Sequence, residues 1–600
     1  MIVQRLNCVM PFRLNGKFLF GLFVRGFVFA TMLLSAAHAA DVTLAWRPVV
    51  GTTPMVIASP ALVKVGANDL SFTRLSALVS SVAFVRPDGS FAQLEGQFGA
   101  LALDEGHDGF TLRGVPADRY IGLQFLVGIR PEVNHADPGQ WPAGHALNPL
   151  ADGLHWSWQG GYIFLAMEGH YRRANGELGG WSLHLANDPR LTLIELPAPM
   201  EITGDTTITL ELDLARVLAG ITLSPEHGDS THSRKGDKLA DHLVENVPSS
   251  FRVASVVPSA SVTGVVKMSV KNQIDNVGTP LAFTVPPGFP QVTLPADNPL
   301  TVEGVALGRR LFTDKKLSRT GVQSCATCHM PARAFGDSVA FSLGADGNPG
   351  ARNAMPLFNL AWSQAYAWDG GKPHIRDQVL AAMTNDREMH ADPVRVVALL
   401  AEDVALGDAF RAAFGTREIT VSRIGLALEQ YLLTLVSADS KFDRAMRGEV
   451  QLTENEKQGF AIFSTEYDPV HGMRGGDCFH CHGGVLFSDY AYKNTGLDLV
   501  SSDQGRGGVT GNAYERGKFK TPSLRNVALT APYMHDGRFT TLEQVIAHYD
   551  HGVKRADNLD PNIAKHPDAG LQLSQEEQRQ LVVFLKTLTD ARYDKPATAK

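Results

Sequence analysis

The sequence is short of cysteine, of net charge and of long apolar runs, and each shortage excludes a class of protein. Only 5 of its 600 residues are cysteine, which excludes a small disulfide-stapled scaffold. The formal net charge of -7 is small for this length and gives no reason to expect nucleic acid as a partner. Hydrophobic residues make up 44% of the chain, so core material is ample. Because a chain of this length exceeds what one core organises, several domains are expected.

The N-terminal segment is typical of an export signal. Basic residues precede an apolar run over residues 26–34, and Ala37-His38-Ala39 is a small-x-small cleavage site. The run is shorter than the ~20 residues that cross a bilayer, so a removed signal over residues 1–40 is favoured over a membrane anchor. Met10 is an alternative start of this signal. We therefore expect a periplasmic, secreted or cell-surface protein of a Gram-negative bacterium, with no membrane span after signal removal.

Four of the five cysteines form two matching pentads, and Cys8 leaves with the signal. The pentads are Cys325-Ala326-Thr327-Cys328-His329 and Cys478-Phe479-His480-Cys481-His482. Two thiols at this spacing can bond to the vinyl groups of a haem, and the histidine that follows at once can bind the iron. A zinc knuckle is the alternative, but its ligands are spaced differently. We predict two haem c groups, with His329 and His482 as iron ligands.

The residue pattern changes from strand-like to helical along the chain. Short alternating or β-branched runs punctuated by Gly, Pro, Asn and Asp fill the first part, and they predict an antiparallel β-sandwich over residues 41–256. After an extended linker over residues 257–285, helical spacing and three capping boxes predict helices. The capping pairs are Thr453 with Glu456, Thr540 with Glu543, and Ser574 with Glu577.

An internal repeat indicates how the helical part is organised. Residues 354–370 align without a gap on residues 521–537, and Leu, Asn, Ala, Tyr, Asp and Gly recur at the same offsets. Each copy lies downstream of its own pentad, and Trp368 stands where the second copy has His535. The predicted architecture is therefore multidomain: an N-terminal all-β sandwich, then a mainly α pair of cytochrome c-like domains over residues 286–445 and 446–595.

The β region resembles the MbnP family of secreted copper-binding proteins over about residues 41–256. The resemblance rests on residues 155–164, with residues 134–137 upstream and 181–185 downstream. It implies a copper site that combines imidazoles with a tryptophan oxidised to kynurenine, and imidazole suits either copper oxidation state. Carried onto this chain, it makes His135 and His155 the candidate ligands. Trp141 is the candidate for oxidation, and Trp156 and Trp158 are its rivals.

Residues 280–595 resemble the bacterial di-haem cytochrome c peroxidase superfamily. The resemblance rests on residues 307–312 and 324–335, on Trp368-Asp369-Gly370, and on residues 519–526. It implies a tryptophan between the two haems, which is Trp368, and a peroxide pocket with Gln378 and Glu388. Cleavage of peroxide needs a group that takes a proton from one oxygen and returns it to the other, and Glu388 is assigned that role.

This chain departs from ordinary members of the superfamily at both haems. They block the first iron with a histidine whose place is taken here by Ala345, so we predict an open first haem. Their distal methionine at the second haem is replaced by Tyr549, with Met534 and His548 as rival ligands. Tyrosine resembles the protein-modifying branch that includes MauG and MbnH, and an anionic oxygen ligand favours high oxidation states.

The two resemblances together imply an enzyme that modifies its own N-terminal domain. Hydrogen peroxide would oxidise the haem pair by two electrons, and the pair would oxidise a tryptophan of the β domain to kynurenine, in cis or in trans. The resemblance also implies a calcium ion at Asn353, Thr530 and Pro532. One alternative is a detoxifying peroxidase that takes electrons from a small cytochrome or copper protein. The other is a copper-binding protein whose haems pass electrons.

Overall fold

The computed structural model of the chain describes residues 39–156, 160–259 and 277–594. The predicted export signal therefore lies almost wholly outside the described residues. Residues 260–276 of the predicted linker lie outside them as well. Within the described residues, none of the helices combines the length and the hydrophobicity of a membrane span.

The N-terminal part is rich in strands and has few helical turns, as predicted. Its helices are α1 (Pro131–Asn134), α2 (Leu214–Val217) and α3 (Lys238–Asn246). Its strands are β1 (Ala39–Val50), β2 (Thr53–Pro54), β3 (Val63–Val65), β4 (Asn68–Leu70), β5 (Arg74–Val85), β6 (Phe91–Gln93), β7 (Phe98–Ala102), β8 (Gly109–Pro116), β9 (Asp118–Val127), β10 (His155–Trp156), β11 (Gly161–Arg172), β12 (Leu178–Ala186), β13 (Thr192–Ile202), β14 (Thr206–Asp213), β15 (Ser230–Thr231) and β16 (Phe251–Pro258).

These strands form two sheets that share one core. The smaller sheet has the order β16-β14-β1-β2, with β8 also on β1, and the larger sheet runs β13-β9-β5-β11-β12-β15. Burial alternates along strand β1: Val42, Leu44 and Trp46 are buried, and the residues between them are more exposed. A period of two is what a strand with one face on a core requires. The two inner faces meet in a single apolar cluster that includes Leu44 and Leu183.

Strand β11 differs from β1 because it is buried along nearly its whole length. One of its faces belongs to the sheet core, and the other is covered by the C-terminal half of the chain. There His170 Nε2 lies 2.7 Å from the carbonyl oxygen of Leu559, and Asn562 Nδ2 donates to Glu168 Oε2 at 3.0 Å. On β12, a Cβ added to Gly180 would lie 2.0 Å from the Pro561 carbonyl oxygen, so the two backbones are in direct contact. The β domain is thus docked on the second haem unit.

The C-terminal half is helical, which confirms the predicted change of fold class. Four short strands, β17 (Tyr467–Asp468), β18 (Met473–Arg474), β19 (Tyr492–Lys493) and β20 (Phe519–Lys520), form two hairpin-like pairs. The helices are α4 (Val302–Phe312), α5 (Cys325–Cys328), α6 (Ile375–Thr384), α7 (Pro393–Ala401), α8 (Val404–Phe414), α9 (Val421–Leu433), α10 (Lys441–Met446), α11 (Glu454–Ser464), α12 (Phe479–His482), α13 (Gly507–Thr510), α14 (Leu542–Ala547), α15 (Pro561–Ala564) and α16 (Gln575–Lys586).

Two glycines at equivalent helix crossings show that this half contains a structural duplication. A Cβ on Gly308 of α4 would lie 2.0 Å from the carbonyl oxygen of Ala427 in α9. A Cβ on Gly459 of α11 would lie at the same distance from the carbonyl oxygen of Gln580 in α16. Each unit therefore packs its first helix against a later one, backbone to backbone, and only glycine permits that approach.

The aligned repeat also has the same backbone in both copies. Asn359 and Asn526 are both left-handed, with φ of 58° in each, and both precede a short 3₁₀ turn. Gly370 and Gly537 are left-handed as well. Tyrosines at matching positions close a matching bridge, to Lys372 in the first copy and to Phe539 in the second. The sequence repeat is thus a repeat of conformation.

Gly308→Ala should destabilise the first haem unit. The added methyl group overlaps a backbone oxygen, so α4 and α9 must separate, and such overpacking costs about 1–3 kcal/mol. We expect a lower melting temperature of the haem-loaded protein by calorimetry. Gly407→Ala in α8 is the matched control, because its Cβ meets only side-chain atoms at 3.8 Å or more. That change should be neutral or stabilising by up to ~1 kcal/mol. Equal melting temperatures for both variants would contradict the close crossing.

Candidate functional site

A cavity of about 700 Å³ lies at the first pentad. Cys325, Cys328 and His329 line it on one side, and Gln378 and Glu388 line it as well. The two thiols are not bonded to each other, so both are available to bond to a porphyrin. Among the described residues that line the cavity, His329 is the single histidine. The space and its donors fit a haem c, which Cys325 and Cys328 would attach and for which His329 would be an iron ligand.

The two pentad histidines are oriented in the same way. His329 Nδ1 lies 3.2 Å from the Phe335 carbonyl oxygen, and His482 Nδ1 lies 3.1 Å from that of Phe487. A hydrogen bond from Nδ1 to a carbonyl leaves Nε2 unprotonated, which is the form that binds a metal. Burial lowers the pKa of both rings, so both stay neutral. The second pentad therefore presents an iron ligand equivalent to that of the first.

Gln378 and Glu388 reach the cavity from adjacent stretches of chain. Gln378 lies on α6, whose N-terminal turn follows His374, and Glu388 lies in the turn after that helix. Asn385 Nδ2 donates to Glu388 Oε1 at 2.8 Å and holds the carboxyl group in place. Glu388 is exposed, and it lines the cavity. The surrounding protein still raises its pKa, because it partly desolvates the carboxyl group. A carboxyl group with a raised pKa that lines a cavity can exchange protons with a molecule bound in it.

The loop that carries Ala345 packs on this turn and brings no ligand to the cavity. The Ala345 amide donates to the Glu388 carbonyl oxygen at 2.6 Å. Beside it, a Cβ on Gly344 would lie 2.4 Å from the carbonyl oxygen of Arg387. The loop therefore positions Glu388, and its lining residues Ser342 and Leu343 offer no imidazole.

Trp368 lies where the two haem units meet. It is buried, it lines the cavity, and its indole Nε1 donates to the Asn353 carbonyl oxygen at 2.9 Å. Its own carbonyl oxygen accepts from the Lys520 amide of the second unit at 2.7 Å. The Asn353 amide in turn donates to the carbonyl oxygen of His535, also in the second unit. Trp368 is thus bonded to the first unit through its indole and to the second unit through its backbone.

The residues predicted to bind calcium lie at the same junction. Asn353 Nδ2 donates to the carbonyl oxygens of Val339 and Ala340 at 3.1 Å, which leaves Oδ1 as an acceptor. Thr530 is half-buried, and its hydroxyl donates to the Val527 carbonyl oxygen at 3.3 Å. Pro532 follows a cis peptide bond. An amide oxygen and carbonyl oxygens are the ligand type that calcium prefers.

Tyr549 lies at the second pentad in a π-helical turn, His548–Gly552. Burial raises the pKa of its phenol, and Cys481 and Cys478 are close enough to raise it further. Its rival His548 is engaged elsewhere, because His548 Nε2 lies 2.9 Å from the Thr495 carbonyl oxygen. A π turn widens the helix by one residue and is frequent at functional sites. Here it brings the tyrosine toward the thiols that would hold the second haem.

Neither copper ligand predicted in the β domain belongs to the groups of His, Asp and Glu side chains that, among the described residues, lie close enough together to hold a metal ion. His135 is exposed, and its Nε2 lies 2.9 Å from Asp188 Oδ2. His155 packs on Tyr162 with ring centroids 4.7 Å apart, and burial lowers its pKa to about 4. Trp141 stacks on His145 at 4.3 Å. Trp158 lies outside the described residues.

Sequence reasoning missed a group of buried histidines beside Trp156. His184 and His232 of the β domain meet His480 of the second pentad, and one ring nitrogen from each lies within 4.8 Å of the others. The Trp156 ring is centred 5.4 Å from that of His232 and 5.8 Å from that of His184. No spacing in the sequence could show this group, since His232 and His480 are 248 positions apart.

Comparisons with known proteins match both halves of the chain. A family model described as di-haem cytochrome c peroxidase matches residues 302–451, and the MbnP model matches residues 39–233. The methylamine utilization protein MauG of Methylorubrum extorquens is 38% identical over 301 residues, which are 49% of this chain and 80% of that protein. The cytochrome c551 peroxidase of Pseudomonas aeruginosa is 33% identical over 309 residues, 50% of this chain and 82% of that protein.

One solved structure matches the same half. It is a MauG-like protein associated with microbial copper homeostasis, 32% identical, which covers 52% of this chain and 98% of its own, with a TM-score of 0.48. The curated relatives above exceed 30% identity, and the matches cover 80% and 82% of their own length. The chain therefore belongs to the di-haem cytochrome c peroxidase and MauG family, as a haem-dependent oxidoreductase with two haem c groups and an MbnP domain.

Proposed function

We propose that the di-haem half uses hydrogen peroxide to oxidise Trp156 of the MbnP domain to kynurenine. One observation supports Trp156 above the other tryptophans. Its ring lies against His232, and His232 Nε2 lies 2.7 Å from Nε2 of His480, within the second pentad. Electrons leaving Trp156 thus have a packed route to the second haem unit. Trp141, by contrast, is packed on His145 and Phe98 within its own domain.

The reaction begins at the cavity of the first unit. Cys325, Cys328 and His329 would hold a haem there, and its iron would supply the redox chemistry that peroxide cleavage needs. Glu388 removes the proton from the near oxygen of peroxide and delivers it to the far one, which leaves as water. Gln378, on the same wall, orients the bound oxygen or the Glu388 carboxyl group. Desolvation raises the pKa of Glu388, so its carboxylate accepts the proton of peroxide more readily than that of an ordinary glutamate does.

The second unit passes on the oxidising power. Trp368 carries electrons between the units, because its indole and its backbone are bonded to opposite sides of the junction. Tyr549 supplies an anionic oxygen that stabilises high oxidation states of the second metal. Calcium held by Asn353, Thr530 and Pro532 would fix the junction that Trp368 occupies.

The oxidation is balanced with two equivalents of peroxide. Each equivalent removes two electrons from the indole, and the two oxygen atoms gained open the pyrrole ring to N-formylkynurenine, with release of two waters. Hydrolysis of the formyl group then gives kynurenine and formate. The docked β domain keeps its tryptophan beside the oxidant at high effective concentration, so transfer within one chain is favoured. We place the protein outside the cytoplasm, where c-type haem is attached in bacteria.

Peptide mass spectrometry tests which tryptophan is changed. We expect the Trp156 peptide of the haem-loaded protein, after peroxide, to exchange one carbon atom for one oxygen atom. Cys325→Ser/Cys328→Ser, which removes the first attachment site, should leave the peptide unmodified. Trp141→Phe is the matched control and should not affect conversion of Trp156. An intact Trp156 together with oxidation at Trp141 or Trp158 would refute the assignment.

A second candidate function is removal of peroxide with electrons from an external donor. It is favoured by the similarity to cytochrome c551 peroxidases, whose names describe that activity. Turnover assays with a reduced small cytochrome separate the two. Fast turnover with every tryptophan intact would favour this second function, and slow turnover with conversion of Trp156 would favour the first.

A further inference from the structure

Three histidines from two domains meet in a closed site at the docking interface. Their side chains are almost fully buried, with exposures of 2% for His184, 0% for His232 and 4% for His480. His232 Nε2 and His480 Nε2 face each other at 2.7 Å. His184 Nδ1 is buried and has no hydrogen-bond partner. A buried imidazole nitrogen without a partner is unfavourable unless something else binds it.

Each of the three rings has a carboxylate on its opposite nitrogen. His184 Nε2 lies 3.0 Å from Glu168 Oε1. His232 Nδ1 lies 2.8 Å from Glu466 Oε2, and His480 Nδ1 lies 2.7 Å from Asp477 Oδ1. The last two contacts are at ion-pair distance, although the ring N–H groups do not point straight at the oxygens. A carboxylate behind an imidazole is the arrangement that orients histidines around a bound metal.

The carboxylates remain ionised, because the facing cations offset the cost of their burial. Lys565 Nζ lies 3.1 Å from both Glu466 and Asp477, and Arg74 pairs with Glu168 at 2.9 Å. Charged carboxylates keep the protons on the outward ring nitrogens. The inward Nε2 atoms of His232 and His480 then present two lone pairs at 2.7 Å, which repel each other unless a proton or a metal ion joins them.

We propose that His184, His232 and His480 bind one transition-metal ion, for which copper is the best match. Neutral imidazoles bind copper, zinc and nickel, and the affinity order of divalent ions places copper above the other two. Ligand nitrogens around a tetrahedral ion are ~3.3 Å apart at metal–nitrogen distances of about 2.0–2.1 Å. The present separations, 2.7 Å for one pair and at most 4.8 Å for the others, bracket that value.

The third ligand makes this a site between domains. His184 and His232 lie in the β domain, while His480 stands between Cys478 and Cys481 of the second pentad. One ligand of the metal would therefore be the residue directly before Cys481, a haem-attaching cysteine. The metal would also clamp the β domain to the enzyme half and be absent from a β domain on its own. The proposal is independent of Trp156 oxidation, because the three imidazoles are complete without it.

Copper binding to the haem-loaded full chain tests the proposal. After removal of metals with a chelator, the protein is titrated with Cu(II), and bound copper is measured by mass spectrometry of the metal and by electron paramagnetic resonance. We expect one tightly bound copper with hyperfine coupling to imidazole nitrogen. His480→Gln should weaken binding by at least ~100-fold, because a ligand matters more than the outer partners that give 10–100-fold effects.

His135→Gln and His155→Gln are the matched controls and should bind copper like the unchanged protein. The haem content of each variant is measured first, so that a defect in haem attachment is not mistaken for loss of the metal site. His232→Gln, which lies outside the pentad, gives the same expected loss without that complication. Unchanged copper affinity in both His480→Gln and His232→Gln would overturn the proposal, and so would binding of zinc in preference to copper. Neither outcome depends on whether Trp156 is converted.

Discussion

Glu388→Gln should slow the reaction with hydrogen peroxide by about two to four orders of magnitude, the usual contribution of a general acid and base. Glutamine keeps the size of the side chain and can still contact Asn385, so the cavity is preserved while proton transfer is lost. Stopped-flow spectroscopy of the haem bands gives the rate. Glu402→Gln, at an exposed carboxylate just after α7, is the matched control and should react at the normal rate.

The pH dependence of the same reaction carries a second signature of Glu388. Desolvation raises its pKa above the ordinary value. Only the carboxylate form accepts a proton from peroxide, so the rate should be full above this raised pKa and should fall as the pH drops through it. Glu388→Gln should lack this acid limb. A full acid limb in the variant would assign proton transfer to another group.

Tyr549→Met should raise the reduction potential of the second haem by on the order of a few hundred mV, since axial ligands span about 0.8 V. A thioether favours reduced iron, whereas an anionic oxygen favours oxidised iron. We expect Trp156 conversion to stop, because the second metal then holds electrons too tightly to share the oxidation. Spectroelectrochemical titration measures the potential, and peptide mass spectrometry measures the conversion.

The rival ligands provide the controls for Tyr549. Met534→Leu and His548→Gln remove the other two candidates, and neither should move the potential by a comparable amount. His548 is bonded to the Thr495 carbonyl oxygen, so its loss should affect packing more than the metal. If Tyr549→Met and Tyr549→Phe both leave the haem spectrum unchanged, Tyr549 is not an axial ligand.

Local patterns in the sequence predicted most of the fold. Alternation in β1 and the punctuated runs predicted strands, and the capping boxes Thr453/Glu456 and Ser574/Glu577 are both present. The pair Thr540/Glu543 was wrong by one residue, because Thr541 and Gln544 form the box that opens α14. Adjacent threonines offered two equivalent starts, and the Gln544 side chain bonds to both. Such a choice depends on packing, which local sequence does not contain.

The two halves of the candidate site differ in how far they could be predicted. The residues predicted at the first cavity, from Cys325 to Glu388, lie in one stretch of chain whose motifs are read in order, although Asp503 and Lys520 of the second unit also line it. Trp156 and the three-histidine cluster are assembled by docking of one domain on another. The residues that meet there lie in strands, a pentad and a loop, and no regular spacing in the sequence relates them. Glu168 and Glu466, the carboxylates behind two of these histidines, are buried, and their burial is also a property of the assembled interface.

The contact between β11 and α15 gives maturation of this protein a fixed order. Glu168 accepts a hydrogen bond from the Asn562 side-chain amide, and the His170 ring lies within hydrogen-bond distance of the Leu559 carbonyl oxygen. These partners come 394 and 389 residues later in the chain. Although the β domain comes first along the chain, its charged strand stays exposed to water until the last helices have folded against it. A chain whose second haem unit fails to fold would thus leave this strand uncovered, and the proposed oxidation of Trp156 would start only on molecules whose two halves are already docked.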